Sequence, residues 1–165
     1  MNTNHLLVEL EYELTSTKEL IERVPANQLS WQPHFKAMML GQLAYHTAII
    51  PFRYLTFAEE GSTPLEKLSY HHSPKDKKEI IDVFTSGSAK AKELLQKLGE
   101  NDGDTVWNLT KDGSVIFSLP VSMFVRMLVF NHLFHHRGQL STYLRALDIP
   151  LPSIYGPSAD FNPFA

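Results

Sequence analysis

Two histidines near the end of the sequence have a spacing that suits metal binding. His132 and His136 are four residues apart, so on an α-helix their side chains lie on one face, about one turn from each other. Two imidazoles in this arrangement can bind one metal ion if other helices supply the remaining ligands. The alternative is that both histidines lie in the core and are hydrogen-bonded there. They would need such partners because burying an unpartnered polar group costs free energy. Gly138 follows the pair and predicts a close approach by another element, since glycine inside a helix costs about 1 kcal/mol relative to alanine.

A third ligand is predicted in the second helix of the chain. His46 follows Leu43 by three residues and precedes Ile50 by four, which places it on the apolar face of that helix. The other histidines outside the last helix lie near the terminus or in links between helices: His5, His34, His71 and His72. The last two of these are expected to be solvated in a loop. His46 is therefore the best candidate to complete a site with His132 and His136.

Three histidine ligands predict a catalytic site rather than a closed structural one. Three neutral imidazoles leave at least one coordination position open to water. His135 points about a hundred degrees away from His136 around the helix, so it is expected to lie at the surface or to support a ligand. The sequence contains neither His-Glu-x-x-His nor Glu-x-x-His. The zinc metalloprotease and ferritin-like di-iron classes are therefore excluded.

The composition restricts the class of partner. The 165 residues have a formal net charge of -3 and no basic block, so binding to nucleic acid is not expected. No run of about 18 apolar residues is present, so no membrane span is expected. The first residues lack a signal-peptide pattern, which predicts a cytoplasmic protein. There are no cysteines, so disulfides, cysteine-ligated zinc and a thiol nucleophile within the chain are excluded.

The residues that carry this chemistry must be positioned by helices. Apolar residues at steps of three and four predict four helices, over about residues 3–24, 38–57, 75–98 and 120–147. Two short apolar runs, 106–109 and 115–117, flank a turn that contains Asp112 and Gly113, and they predict a β-hairpin between the third and fourth helices. The proline-rich tail, 151–160, is expected to cross the helices as an extended strap, and Trp31 to cover one end of them. The predicted fold class is all-α, a four-helix bundle in a single domain over residues 1–165.

Three segments of the sequence resemble the DinB/YfiT-like family of small metal-binding bundles. They are residues 41–46 (Gly-Gln-Leu-Ala-Tyr-His), 132–140 (His-Leu-Phe-His-His-Arg-Gly-Gln-Leu) and 155–160 (Tyr-Gly-Pro-Ser-Ala-Asp). The resemblance runs in order over nearly the whole chain. It implies a four-helix bundle in up-down-down-up order in which His46, His132 and His136 bind a divalent metal ion such as nickel, zinc or manganese. It also implies a homodimer, and relatives that use bacillithiol, mycothiol or glutathione in thiol-dependent transfer or isomerisation.

Two classes of function are compatible with these features. The first is a metal-dependent enzyme that acts on a small-molecule substrate, either as a thiol-dependent S-transferase or as a hydrolase. Because the chain has no cysteine, a thiol nucleophile must be supplied by a low-molecular-weight thiol as cosubstrate. The second is a non-enzymatic, stress-related binding or scaffold protein in which the metal is structural. A fourth protein ligand would favour the structural role, and an open coordination position would favour the enzyme.

Gln139 is the candidate catalytic residue. It lies one turn beyond His136 on the same stripe of the predicted helix, so its side chain is expected to point inward beside the ligands. There it could bind a metal-bound water or a substrate. The alternative is that it satisfies buried backbone or one of the ligand imidazoles.

The last helix also predicts self-association. In addition to its core stripe, it carries apolar residues on a second side: Met123, Phe124, Met127, Val129, Phe130 and Leu133. A helix that is apolar on more than one side needs more cover than one face of a bundle provides. A homodimer would supply that cover. The alternative is that the hairpin and the C-terminal strap cover the second side within one chain.

Overall fold

The computed structural model describes residues 3–100 and 105–164. Within these ranges the chain is mostly helical, with a small three-stranded sheet. The helices are α1 (Thr3–Arg23), α2 (Leu40–Glu60), α3 (Lys77–Glu100) and α4 (residues 121–146), and short 3-10 turns occupy Ala26–Gln28 and Leu65–Lys67. The helix bounds lie close to those predicted because the apolar periodicity of each segment is strong. No helix within the two described ranges is both long enough and apolar enough to cross a membrane.

The last helix changes its hydrogen-bonding pattern along its length. α4 is α-helical over Val121–Phe124, π-helical over Val125–Asn131 and α-helical again over His132–Ala146. A π-helical segment is rare, and such segments occur frequently beside functional sites. The sequence analysis did not predict it, because the segment contains neither proline nor glycine. It ends where the histidine-bearing segment begins.

The helices pack so that the two that carry the predicted ligands are direct neighbours. α2 packs against α3 on one side and against α4 on the other, while α1 packs against both α3 and α4. Buried apolar side chains from all four helices meet in one core, among them Leu20, Leu55, Ile80 and Phe130. Because α2 and α4 are in contact, side chains that lie 86 residues apart in sequence can meet between them.

The link between α1 and α2 packs closely against neighbouring elements. The Leu40 amide donates to the Trp31 carbonyl at 2.8 Å, and the Trp31 ring meets Tyr143 of α4 edge-on at 5.5 Å. At Gly41 an added Cβ would lie 3.1 Å from both Cβ and the carbonyl oxygen of Leu29. Glycine at position 41 therefore permits the link to lie against the first turn of α2.

The sheet extends the predicted hairpin by one strand. β1 (Ser62–Pro64), β2 (Val106–Lys111) and β3 (Ser114–Pro120) lie in the order β1-β2-β3. β2 and β3 are antiparallel, and their turn places Asp112 at φ 51° and Gly113 at φ 77°, as a two-residue hairpin turn requires. β1 pairs with β2 in parallel and was not predicted, because three residues give too short a pattern. The buried Trp107 of β2 donates to Thr63 Oγ1 of β1 at 3.1 Å, which ties the two strands together.

The C-terminal tail packs on the helices as the predicted strap. Residues 149–164 contain no helix or strand, and Ile149, Leu151 and Ile154 pack against the core. Arg145 of α4 forms an ion pair with Asp160. The same Asp160 carboxylate accepts the Leu151 amide at 2.8 Å. These contacts fold the tail back on itself beside the end of α4.

One guanidinium is buried where α1, α4 and the strap meet. Arg137 is only 2% exposed, and its Nη1 lies 2.5 Å from Glu13 Oε2 of α1. Arg137 Nη2 donates to the Tyr155 hydroxyl, and that hydroxyl donates to Glu13 Oε2 at 2.9 Å. The sequence analysis did not predict this network. An arginine is usually exposed unless it is paired, and nothing in the pattern of the last helix identified its partners. Loss of either partner of a buried ion pair costs about 3–5 kcal/mol, so the network strongly constrains how α4 sits on α1.

Candidate metal centre

Three histidine side chains converge between α2 and α4. His46 comes from α2, and His132 and His136 come from the second α-helical segment of α4. His132 Nε2 lies 3.3 Å from His46 Nε2 and 2.9 Å from His136 Nε2. One ring nitrogen from each of the three lies within 4.8 Å of the others. The structure thus brings together the three residues that the sequence analysis selected.

The donor atoms fit a single divalent ion. In a tetrahedral site with metal–nitrogen bonds of 2.0–2.1 Å, two ligand nitrogens lie about 3.3 Å apart. The two measured separations, 2.9 and 3.3 Å, are close to that value. If each ring carries its N–H on Nδ1, the three converging nitrogens hold only lone pairs and cannot hydrogen bond to one another. One cation would accept the lone pairs of all three.

Gln139 orients one of the ligands. Its Oε1 lies 2.8 Å from His136 Nδ1. An amide oxygen only accepts, so Nδ1 carries the proton and donates a hydrogen bond to Oε1. The lone pair of His136 is then on Nε2, the nitrogen that faces the other two histidines. Such a second hydrogen bond is usual for a metal-ligating histidine because it fixes the tautomer and the ring plane. The Gln139 side chain is exposed rather than directed inward as predicted.

The π-helical segment affects the second ligand. The His132 amide donates to the carbonyls of Met127 and Val129, so the Leu128 carbonyl does not receive its α-helical partner. That carbonyl lies beside the His132 ring, where it favours the protonated imidazole. It therefore acts to raise the pKa of His132, against the larger lowering effect of burial. The contact falls short of a hydrogen bond, and Nδ1 of His132 is buried without a partner among the described residues. Nδ1 of His46 is enclosed in the same way.

Burial keeps the three imidazoles neutral. Desolvation, followed by repulsion from His136 and His132, lowers the pKa of His46 to about 3. Desolvation, followed by repulsion from His136 and His135, lowers the pKa of His132 to about 4. Desolvation also lowers the pKa of His136, although its bond to Gln139 acts in the opposite direction. Because only a neutral imidazole can bind a metal ion, the environment prepares all three side chains as ligands at neutral pH.

Two neighbours of the ligands were considered in the sequence analysis. His135 is exposed and is not part of the converging group, although its ring lies 4.9 Å from that of His136. The prediction that it points away from the site is therefore confirmed. The prediction for Gly138 is wrong, because a Cβ added there would meet nothing within 4 Å. Its carbonyl instead accepts the hydroxyls of Ser141 and Thr142.

His72, in the link before α3, contacts two helices and is not a solvated loop residue. His72 Nε2 lies 2.6 Å from Glu79 Oε1 of α3, and its ring lies 4.4 Å from that of Tyr45 on α2. The side chain is half-buried, whereas its neighbour His71 is exposed. The prediction of two solvated histidines is thus wrong for the second. Glu79 lies seven residues further along the chain, and the spacing alone did not identify it as a partner.

Two further residues of α2 border the site and were not identified from the sequence. Tyr54 is 6% exposed, and its ring packs edge-on against His132 at 5.0 Å. Its hydroxyl makes no hydrogen bond to the described part of the chain, and burial raises its pKa. Arg53 lies close enough to contribute to the lowered pKa of His46. Their positions seven and eight residues after His46 are the signal that could have found them, because these positions face the same side of a helix.

Replacing any one ligand is expected to abolish stoichiometric metal binding. His46→Ala, His132→Ala and His136→Ala each leave two imidazoles, which hold a divalent ion far more weakly than three. His135→Ala is the matched control and is expected to bind metal as the wild type does. The measurement is elemental analysis of stripped protein after reconstitution with zinc and gel filtration. Full occupancy in His132→Ala would contradict the assignment.

The metal-free protein is expected to lose stability as the pH falls below 6.5. In the unfolded chain these histidines take up protons near their ordinary pKa of 6.5, whereas folded His46 and His132 do so only near 3 and 4. The unfolded state therefore binds more protons in this window, and the free energy of unfolding decreases with decreasing pH. Urea unfolding at pH 7, 6 and 5 in the presence of a chelator measures the effect. The midpoint should fall less for His46→Gln than for the wild type, and equal pH dependence of the two would contradict the prediction.

Comparison with known proteins places the chain in a family. Its structure superposes on that of a DinB-like protein from Bacillus subtilis with a TM-score of 0.72 at 16% sequence identity, covering 91% of this chain and 96% of that chain. A DinB-like protein from Bacillus cereus gives a TM-score of 0.69 at 25% identity, covering 90% and 95%. No curated protein matches the sequence significantly. The model of the DinB family matches residues 1–162, and the chain therefore belongs to the DinB family.

Proposed function

We propose that the chain is a metal-dependent enzyme that uses His46, His132 and His136 to hold one divalent ion. The observation that carries the proposal is the convergence of three imidazoles without a fourth ligand. No further histidine, aspartate or glutamate from the described ranges joins the group. A structural site of this kind is normally closed by four protein ligands, whereas a catalytic site keeps a position open. The alternative function, a binding or scaffold protein with a structural metal, would need that fourth ligand.

The chain contributes binding, orientation and a fixed protonation state. Burial keeps the imidazoles neutral, and Gln139 fixes the His136 ring through its Nδ1. A nickel, zinc or manganese ion at this site would act as a Lewis acid, which lowers the pKa of a water or thiol that binds to it. The Tyr54 ring packs against His132, and its hydroxyl, which makes no hydrogen bond to the described residues, is available to donate to a substrate. All these groups lie on α2 and α4, so the site is held by two packed helices.

The reaction proposed is thiol-dependent S-transfer to a small molecule, or hydrolysis of one. The sequence contains no cysteine, so the thiol in the first reaction is a low-molecular-weight cosubstrate. A thiolate is also a good ligand for nickel or zinc. A cytoplasmic location belongs to the same proposal, because low-molecular-weight thiols are kept reduced there.

The up-down-down-up order of the helices is part of the proposal as well. It requires α2 and α3 to run in the same direction, so their link must cross the length of the bundle. The link spans residues 61–76 and includes the 3-10 turn Leu65–Lys67. Its other residues, if extended, reach about 43 Å. α3, with 24 residues, is about 36 Å long. The link is therefore long enough to make this connection.

The enzyme proposal predicts thiol transfer or hydrolysis that depends on the bound ion. Wild-type protein loaded separately with nickel, zinc and manganese is assayed with low-molecular-weight thiols and chlorodinitrobenzene, and with simple esters. At saturating metal, Gln139→Leu should retain the ion and lose rate, because the His136 ring is no longer fixed through its Nδ1. Gln96→Leu, at an exposed position of α3, is the control and should change neither metal content nor rate. Absence of both activities with all three metals would favour the structural role of the ion.

A homodimer is proposed on a separate surface. β3 is an edge strand of the sheet, and Val115, Ile116 and Phe117 on it are 50–58% exposed. Of the six apolar residues of α4 that predicted self-association, four are buried within the chain, Phe124, Val129, Phe130 and Leu133. Met123 and Met127 are exposed, at 52% and 44%, so neither the hairpin nor the strap covers them. β3 contains no charged residue that would keep its open backbone groups from pairing with another strand. A second copy could pair its own β3 with this one in antiparallel order across a two-fold axis.

Light scattering tests the dimer directly. The wild type at micromolar concentration is expected to have twice the monomer mass of 18.8 kDa. Ile116→Lys should shift it towards the monomer, because a charge on the edge strand opposes pairing. Tyr12→Lys, at a position that is 73% exposed on α1, is the control and should leave the mass unchanged. A monomeric wild type would exclude the dimer under these conditions.

A further inference from the structure

We propose that Arg53 binds a carboxylate, or an equivalent anionic group, of the small molecule that reaches the three-histidine centre. This inference rests on the proposed function and names the substrate class of the same site. It assigns to α2 a second recognition group in addition to the ligand His46. The substrate would be a molecule with a metal-binding atom at one end and an anionic group at the other.

The first argument is that Arg53 has no carboxylate partner. Three other arginines form ion pairs, Arg126 with Glu9, Arg137 with Glu13 and Arg145 with Asp160. Within the described ranges Arg53 forms none, and the one acceptor it contacts is the backbone carbonyl of Lys67. Its Nε is buried and has no hydrogen-bond partner among the described residues. A guanidinium carries five N–H donors and stays charged at all accessible pH values, so Arg53 has donors in reserve for an anion.

The second argument is that the guanidinium is held in place. Its central carbon lies 5.0 Å from the ring centroid of Phe57 and 4.6 Å from that of Tyr70. The two rings and the Lys67 carbonyl orient the planar group before any ligand arrives. Burying part of a charge without a counterion costs free energy, which an incoming anion would relieve. Charge-assisted hydrogen bonds to carboxylates are about twice as strong as neutral ones.

The third argument is the position of Arg53 relative to the ligands. It follows His46 by seven residues, close to two full turns, so both side chains leave the same face of α2. The Arg53 guanidinium packs on the Tyr70 ring, and that ring lies 6.4 Å from the ring of Tyr45, the residue before His46. Tyr54, the residue after Arg53, packs against His132, so this part of α2 lies against the histidine-bearing part of α4.

The spacing also sets the length of the preferred molecule. Seven residues of α-helix rise by about 10 Å, which sets the scale of the separation between the ion and Arg53. A thiol and a carboxylate separated by a chain of several carbon atoms could therefore contact the ion and Arg53 together. A molecule with two carbons between these groups would be too short to do so.

Calorimetry on the zinc-loaded protein tests the proposal with 6-mercaptohexanoate and its methyl ester. The acid should bind at least about tenfold more tightly than the ester, as expected for hydrogen bonds to a charged group. Arg53→Met should remove this preference and Arg53→Lys should retain part of it. Arg23→Met is the matched control, since Arg23 also has no carboxylate partner among the described residues but lies on α1. Equal binding of acid and ester by the wild type would overturn the proposal.

A second measurement separates failure of this inference from failure of the proposed function. If neither thiol binds, the thiol-dependent function fails, and the anion site is then judged on the metal-free protein. Phenylglyoxal modifies free guanidinium groups, and adipate should slow modification of Arg53 at least threefold while leaving Arg23 unaffected, as measured by peptide mass spectrometry. Protection of Arg53 but not of Arg23 would support the site. This measurement uses the wild-type protein, so it does not depend on whether a variant folds. Equal modification rates with and without adipate would overturn it.

Discussion

The burial of one arginine constrains the whole assembly around the site. Arg137 lies next to the candidate ligand His136 in sequence, about a hundred degrees away around α4. Its guanidinium is almost fully buried against Glu13 and Tyr155, and an unpaired charge there would be very costly. α4 can therefore adopt only a rotation that brings Arg137 to α1 and the strap. That same rotation directs His132 and His136 towards α2.

The candidate metal centre depends on a second polar constraint, the protonation state of the buried imidazoles. Burial disfavours the imidazolium form, so the three rings present lone pairs rather than charges to one another. Gln139 then selects which nitrogen of His136 holds the lone pair. The π-helical segment alters the backbone immediately before His132 and leaves Leu128 without its usual amide partner. The irregular backbone thus acts on His132, and the side-chain hydrogen bond acts on His136.

One helix carries most of the groups that define the proposed substrate site. α2 supplies His46 to the metal centre, and Arg53 and Tyr54 lie two turns further along it. The link after α2 returns to the same helix, where Lys67 and Tyr70 contact Arg53. A few residues later the link is fixed to α3 by the pair of His72 and Glu79. The link between α2 and α3 therefore contacts α2 at Arg53 and α3 at Glu79.

The sequence by itself determined the features that depend on short-range periodicity. The four-residue step between His132 and His136 and the apolar neighbours of His46 identified all three members of the cluster, because a helix converts such spacing directly into a common face. The Asp-Gly turn of the hairpin was equally local. Only the tertiary structure decided the burial of Arg137, the order around His72, the outward position of Gln139 and the pairing of β1. Each of these depends on a partner distant in sequence or on the exact backbone of α4, and neither the pattern of a single segment nor its composition contains that information.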